Sequence, residues 1–311
     1  MVTVEKVSLW GWPNNIRITN GTIEVVVTTD VGPRILCFGF VGEKNVFRII
    51  EEECGISGGE EWHIFGGHRL WHAPEARPRS YCPDNDPVRF TPTKHGGVFT
   101  QKTESLTGIE KEVEVSMDPE GNHLAVLHRL TNRGVWSVQL APWALSVMER
   151  GGIAIIPQEP HQSWSENLLP VRSLVLWGYT NMSDPRWRWG RKYVTLRQDP
   201  ENASPNKAGF SNSLGWGAYL FDGYLFVKYA PYHPALPYPD MGSSFEVYTD
   251  HRFLELETLG PLVCLKPHET VEHKEDWFLF KGVSCEDNDE SIDTFIKPLI
   301  EKALERVKVQ V

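Results

Sequence analysis

The sequence predicts a mainly β protein, a large antiparallel β-sandwich with one C-terminal helix. Three observations predict it. Apolar and β-branched residues recur in many short runs, each closed by Gly, Pro or Asn. Pro (22) and Gly (26) punctuate the chain too often for long helices. No strand–helix alternation is visible, which argues against a Rossmann-type or TIM-type fold, and no fixed-period repeat suggests a propeller.

The runs follow in order. Thr22–Thr29 (TIEVVVTT) is dominated by β-branched residues, and Arg34–Phe40, Lys111–Met117 and His123–Leu130 continue the pattern. Val135–Val147, Ser173–Tyr179, Lys192–Arg197, Trp216–Phe221 and Tyr224–Tyr229 come next, then Phe245–Thr249, Leu254–Leu259 and Asp276–Lys281. Phe221-Asp222-Gly223-Tyr224 and Pro119-Glu120-Gly121-Asn122 read as turns between strands. The helix is expected over about 290–308. Ile292, Phe295, Ile296, Leu299, Ile300 and Leu304 form one apolar stripe, Asp289 or Ser291 caps it, and Pro298 kinks it. Residues 54–101 read as a long irregular stretch, rich in Gly, Pro and His. Such a stretch in a compact domain points to function, so part of the site is expected there.

The whole chain, 1–311, reads as a single domain with length enough for a real core. Its 41 acids against 31 bases give a net charge of −10, which argues against a nucleic-acid partner. The local exception is Arg186, Arg188, Arg191 and Lys192, interleaved with Trp187 and Trp189. They read as a strand with a solvated basic face or as an anion contact. No apolar run approaches the roughly 20 residues that span a bilayer, so no membrane partner is expected. The segment 1–12 lacks a basic region followed by an apolar one, so no secretory signal is expected. Five cysteines at long spacings, without CxxC, suggest reduced thiols and a cytoplasmic setting.

The sharpest chemical signal is Ser244–Pro261, SFEVYTDHRFLELETLGP. Two alternating runs flank Asp250–Phe253. A four-residue loop there sets Glu246 opposite Glu257 and Tyr248 opposite Glu255, all four on one face, with Phe245, Val247, Leu254 and Leu256 on the other. Like charges directly opposite are destabilising. On a solvated face they are tolerated. On a partly buried face one carboxyl rises in pKa, as general acid–base chemistry near neutral pH requires.

Gly66-Gly67-His68-Arg69-Leu70-Trp71-His72 is the second signal. Arg69 offers a rigid fork of donors beside the apolar face of Trp71, which suits a sugar site. His68 and His72 have a spacing that suits metal only on a helix, which this Gly-rich context argues against, so no metal is expected. Lys94-His95-Gly96-Gly97 is the third, where two glycines let backbone approach a ligand. The chain carries no GxSxG elbow, no Walker A loop and no dinucleotide fingerprint, and no cofactor is expected.

These residues resemble the galactose mutarotase-like superfamily, which includes the aldose 1-epimerases. Arg69 sits where that family has the Arg of its "NRI" segment, and His95-Gly96-Gly97 resembles its "HGG". Leu256-Glu257-Thr258 resembles the "LET" strand that carries the catalytic base, and Leu130-Thr131-Asn132 resembles the "TN" segment. Leu265–Glu269 and Glu275-Asp276-Trp277 resemble the closing turn and strand, with His268 where Gly is usual. GGHRLWHAPE, YCPDNDPV and the Glu246–Glu257 hairpin together resemble one subgroup of the superfamily.

The resemblance implies a β-supersandwich that binds a small-molecule carbohydrate and acts as a sugar mutarotase. Glu257 would be the base, and Arg69, Trp71, His95 and Asp240 would hold the sugar, with His68 and Glu246 beside them. The alternatives are a non-catalytic carbohydrate-binding or sensing module, and lyase or hydrolase chemistry on the same scaffold. One departure matters. Where the family has its acid His directly after "TN", this chain has Arg133, which cannot donate a proton near neutral pH. His72, His128, His161 and His233 are then the candidate acids, His72 and His161 foremost.

Overall fold

The computed structural model describes residues 1–308. Its strands are β1 (Thr3–Leu9), β2 (Trp12–Thr19), β3 (Ile23–Thr28), β4 (Arg34–Phe40), β5 (His68–Ala73), β6 (Arg89–Thr93) and β7 (Gly96–Thr100). Then come β8 (Ile109–Met117), β9 (His123–Asn132), β10 (Val138–Met148), β11 (Ile153–Pro157), β12 (Leu174–Leu176), β13 (Trp187–Trp189) and β14 (Tyr193–Arg197). The last are β15 (Asn206–Phe210), β16 (Trp216–Phe221), β17 (Tyr224–Tyr229), β18 (Phe245–Thr249), β19 (Leu254–Leu259), β20 (Val263–Leu265) and β21 (Thr270–Lys281), followed by helices α1 (Asp289–Phe295) and α2 (Lys297–Lys308).

Two antiparallel sheets make the sandwich. One runs β1-β2-β3-β4-β5-β10-β19-β18-β15-β12, with β20 also pairing with β10. The other runs β13-β14-β11-β16-β17-β21-β9-β8-β7-β6. The apolar alternates of both sheets meet between them. Phe38, Phe47, Phe226 and Trp277 pack edge-on or tilted at 5.5–5.9 Å between ring centroids. Burying each such side chain contributes about 1.5–3 kcal/mol. The Asp222-Gly223 turn has φ of 48° and 79°, the left-handed pair that matches the twist of a tight hairpin.

The predicted helix is two helices. Asn288, not Asp289 or Ser291, caps α1, its side chain accepting from the Ser291 N–H. The break falls at Ile296, so Pro298 lies in the first turn of α2, where its missing N–H costs nothing. Ile292, Ile296, Ile300, Ala303 and Val307 cover Ile155, Ala218, Leu225, Val227 and Phe278 on the outer face of the second sheet.

Three of the four basic residues of the cluster are paired within the fold. Arg186 pairs with Asp184, Arg188 with Asp287 and Asp289, and Lys192 with Asp293, tying β13 and β14 to the helical end of the chain.

The stretch 54–101 is less irregular than its composition suggests. It contains β5, a central strand buried at every residue. Both of its faces are covered, so the polar–apolar alternation that marks a strand is missing. Gly66 and Gly67 lead into it with φ of 89° and 69°. A Cβ on Gly67 would lie 2.3 Å from the Ile35 carbonyl oxygen, so only glycine lets β5 dock beside β4.

Candidate functional site

The outer face of the first sheet carries a cleft of about 310 Å³. Five adjacent strands build it by period-2 alternation. β5 supplies Arg69 and Trp71, β10 supplies Trp143 and Leu145, β19 supplies Glu255, β18 supplies Tyr248 and β15 supplies Lys207. Trp62, Tyr81 and Tyr179 complete the aromatic walls. Trp71 meets Trp62, Tyr81 and Trp143 at 5.2–5.8 Å between centroids, an aromatic box that fixes its ring. A larger hollow of about 540 Å³, lined by Asp84, Asn85, Gln101 and Glu104 among others, shares no residue with the cleft and has no aromatic wall.

The β18–β19 register is the one the sequence predicts. Glu246 faces Glu257, Tyr248 faces Glu255 and Thr249 faces Leu254. What the sequence did not reveal is Lys207. Its Nζ lies 2.7 Å from Glu246 Oε2, 3.0 Å from Glu257 Oε2 and 3.2 Å from Glu257 Oε1. The ammonium also sits 4.8 Å from the ring centres of both Trp143 and Trp177. The Trp143 indole N–H donates to Glu257 Oε2 at 2.7 Å. Glu257 is thereby fully buried, with donors on both oxygens.

The charges do not balance. Burial pushes the Glu246 carboxyl well above the usual carboxylate range, with Glu257 and Asp240 adding to the rise and Lys207 opposing it. Asp240 is also raised, chiefly by its own burial. Glu255 is raised chiefly by burial, against the pull of Arg69.

Arg69 Nη2 donates to Glu255 Oε1 at 2.8 Å, and the guanidinium lies 4.6 Å from the Trp71 ring centre. Its Nε and Nη1 are buried and have no partner among the described residues. Buried donors without acceptors are uncommon and call for a ligand or water.

The expected site residues divide into two groups. Glu257, Glu246, Arg69 and Trp71 stand together on the cleft strands, with Asp240 against Glu246. His68 and His72 are on β5 but point to its other face, because alternate residues of a strand point oppositely. His68 hydrogen-bonds His128 in the interior, and His72 lies 3.9 Å from Glu104. His95 sits at the β6–β7 turn of the second sheet. His161 is exposed, in a surface hollow with Pro160 and Arg172. His128 is buried between the sheets, and His233 lies on an exposed loop. Arg133 is partly exposed and pairs with Glu110 at 2.8 Å. No histidine lines the cleft among the described residues.

Sequence reasoning missed Glu255, Lys207, Trp143, Tyr179 and Tyr248 as site residues. For Glu255 and Tyr248 the signal was present, since alternation already placed them beside Glu257. Lys207 lies on a short strand, NKAGF, whose Gly and lack of alternation hid it.

No protein-family model matches the chain, and no curated protein matches it. Solved structures do. A protein from Synechocystis sp. PCC 6803 superimposes with a TM-score of 0.56 at 10% identity, over 89% of this chain and 99% of its own. A galactose mutarotase-like protein from Lactobacillus casei gives 0.56 at 10% identity, over 86% and 100%. The chain has the galactose mutarotase-like fold. A galactose mutarotase related enzyme from Lactobacillus acidophilus agrees, with a TM-score of 0.54 at 9% identity over 86% and 98% of the two chains. The mutarotase-like fold accounts for the two long antiparallel sheets. At these identities it is the architecture that is shared.

Proposed function

We propose that this chain binds a carbohydrate in the cleft and interconverts its anomers, as a sugar mutarotase. The observation that carries the reading is the unpartnered Nε and Nη1 of Arg69 beside the fixed Trp71 ring, with Glu255 bonded to Arg69 and Glu257 two positions further along β19. A sugar matches that arrangement, with hydroxyl or ring oxygens as acceptors and an apolar ring face for the indole.

In this mechanism Glu257 accepts the proton of the anomeric hydroxyl. The C1–O5 bond breaks, its electron pair goes to O5, and O5 takes a proton. With no histidine in the cleft, that proton comes from the Glu255 carboxyl, which burial keeps protonated to higher pH. Lys207 bridges Glu246 and Glu257 and holds the Glu257 carboxylate in place. Rotation about C1–C2 and the reverse transfers close the ring on the other face and restore both carboxyls. The five unpaired cysteines fit a cytoplasmic setting for this activity.

The second reading is a binding module without catalysis. The burial of Glu257, with both oxygens already bonded, favours it. NMR exchange spectroscopy across neutral hexoses, pentoses, uronic acids and sugar phosphates separates the two. Accelerated exchange for one sugar, lost in Glu257→Gln, supports the mutarotase. Ligand-induced shifts without exchange support the binding module, and no interaction with any sugar overturns both.

A further inference from the structure

Beneath the cleft, on the inner faces of its strands, lies a sealed polar cluster that the proposed function does not use. We propose that His68, His128 and Glu275 form a structural binding site for a first-row divalent metal ion of the zinc type. One ligating atom from each of His68, His128 and Glu275 lies within 4.8 Å of the other two. The two imidazole nitrogens are 2.7 Å apart, and His68 Nε2 is 3.9 Å from Glu275 Oε2. All three side chains are buried. Two imidazoles and one carboxylate make a donor set for zinc or a neighbouring transition metal, not for the oxygen-loving Ca²⁺ or Mg²⁺.

The outer contacts orient each ligand. His128 Nδ1 faces the His273 carbonyl at 2.9 Å and so carries the proton, which leaves its Nε2 with a lone pair aimed at His68. His68 Nδ1 lies 2.9 Å from the Ser146 hydroxyl. Glu275 Oε1 is held by Thr258 and, at 3.2 Å, by Lys228, while Oε2 takes the Trp277 indole N–H at 2.7 Å and faces His68. The partners on Nδ1 of each imidazole and on Glu275 Oε1 are of the kind that metal-bound His and Glu ordinarily have on their non-ligating atoms.

Without an ion, the His68 Nε2–H donates to His128 Nε2 and closes the gap. Taking up a metal needs three small changes, the first being that Glu275 Oε2 closes on His68 Nε2 from 3.9 Å to about the ligand spacing of a zinc site. The two nitrogens separate from 2.7 Å to about 3.3 Å, the spacing that tetrahedral bonds of about 2.0–2.1 Å impose. His68 moves its proton from Nε2 to Nδ1, where the Ser146 hydroxyl turns from donor to acceptor, so neither imidazole gains or loses a proton. The ligands come from β5 in one sheet and from β9 and β21 in the other. A bound ion would therefore clip the two halves of the sandwich together, and a site this enclosed loads as the chain folds.

The test is refolding. The full chain is denatured with chelator and refolded in parallel with Zn²⁺, Co²⁺, Mg²⁺ or no metal, then desalted. The expected result is retention of about one Zn²⁺ or Co²⁺ per folded chain and none of Mg²⁺. Visible Co²⁺ ligand-field bands and a higher Tm in the Zn²⁺ sample accompany it. His128→Gln should cut retention at least tenfold. If that variant does not fold, wild-type retention and the Co²⁺ spectrum decide alone. Wild-type protein that refolds with native circular dichroism, yet keeps no Zn²⁺ or Co²⁺ and shows no Tm difference, overturns the site. The readouts are metal content and stability, so this result stands apart from any outcome at the cleft.

Discussion

Glu246 and Glu257 stand directly opposite each other on neighbouring strands, with the Lys207 ammonium 2.7 Å from one and 3.0 Å from the other. One buried cation therefore holds two buried acids, and removing it leaves both uncompensated. Lys207→Met is expected to destabilise the protein by about 3–5 kcal/mol, the scale of breaking a buried ion pair. Adding Glu246→Gln should recover part of that loss. Urea unfolding of the single and double variants measures both, and additive effects would count against the coupling.

Glu246 also sets a pH dependence. Its folded pKa is raised above the unfolded value by burial. Between the two values the folded state binds more protons, so stability falls as pH rises through that window. Glu246→Gln removes the ionisation. Its Tm relative to wild type should rise on going from pH 5 to pH 8, and a difference independent of pH would rule the assignment out.

The proposed chemistry needs Glu255 protonated. Burial raises its pKa above the usual carboxylate range, so anomer exchange should fall as pH rises through that raised value and Glu255 loses its proton. Both Glu255→Gln and Glu257→Gln should lower the exchange rate by at least about 100-fold while sugar still binds. Retained exchange in either variant removes that residue from its role.

Sugar binding should depend on Arg69 and Trp71 together. Arg69→Lys keeps the charge but loses the planar fork, and Trp71→Ala loses the stacking face. Each is expected to weaken binding by about 1–2 kcal/mol, on the scale of one hydrogen bond to a charged group or one aromatic contact. Calorimetric titration with the sugar found by the NMR screen measures the loss, and unchanged affinity would place the ligand elsewhere.

Acid sensitivity has a separate source. The Glu104 carboxyl is held down to about 2, because the Lys111 ammonium, the nearby His72 ring and a hydrogen bond from Thr107 outweigh its burial. A depressed carboxyl contributes stability that is present above its unfolded pKa and lost as pH falls towards the folded one. Glu104→Gln should therefore cost stability at pH 6 and much less near pH 2, followed by thermal melts across that range.

The sequence by itself determined the fold class, most strand positions and the Glu246–Glu257 pairing. Each of these follows from local rules: β-branched runs, Gly and Pro punctuation, and a period of two about a short loop. It also singled out Arg69 and Trp71 as neighbours for a sugar, but β5 itself went unrecognised, because a strand buried on both sides carries no alternation to read. Only the tertiary structure decided what those residues meet. Lys207 reaches Glu246 and Glu257 across the β15–β18–β19 pairings. His68, His128 and Glu275 come from three strands in two sheets. The physical reason is the same in both cases. Strand pairing and sheet packing join residues far apart in the chain, and a local pattern says which way a side chain points without saying what stands opposite.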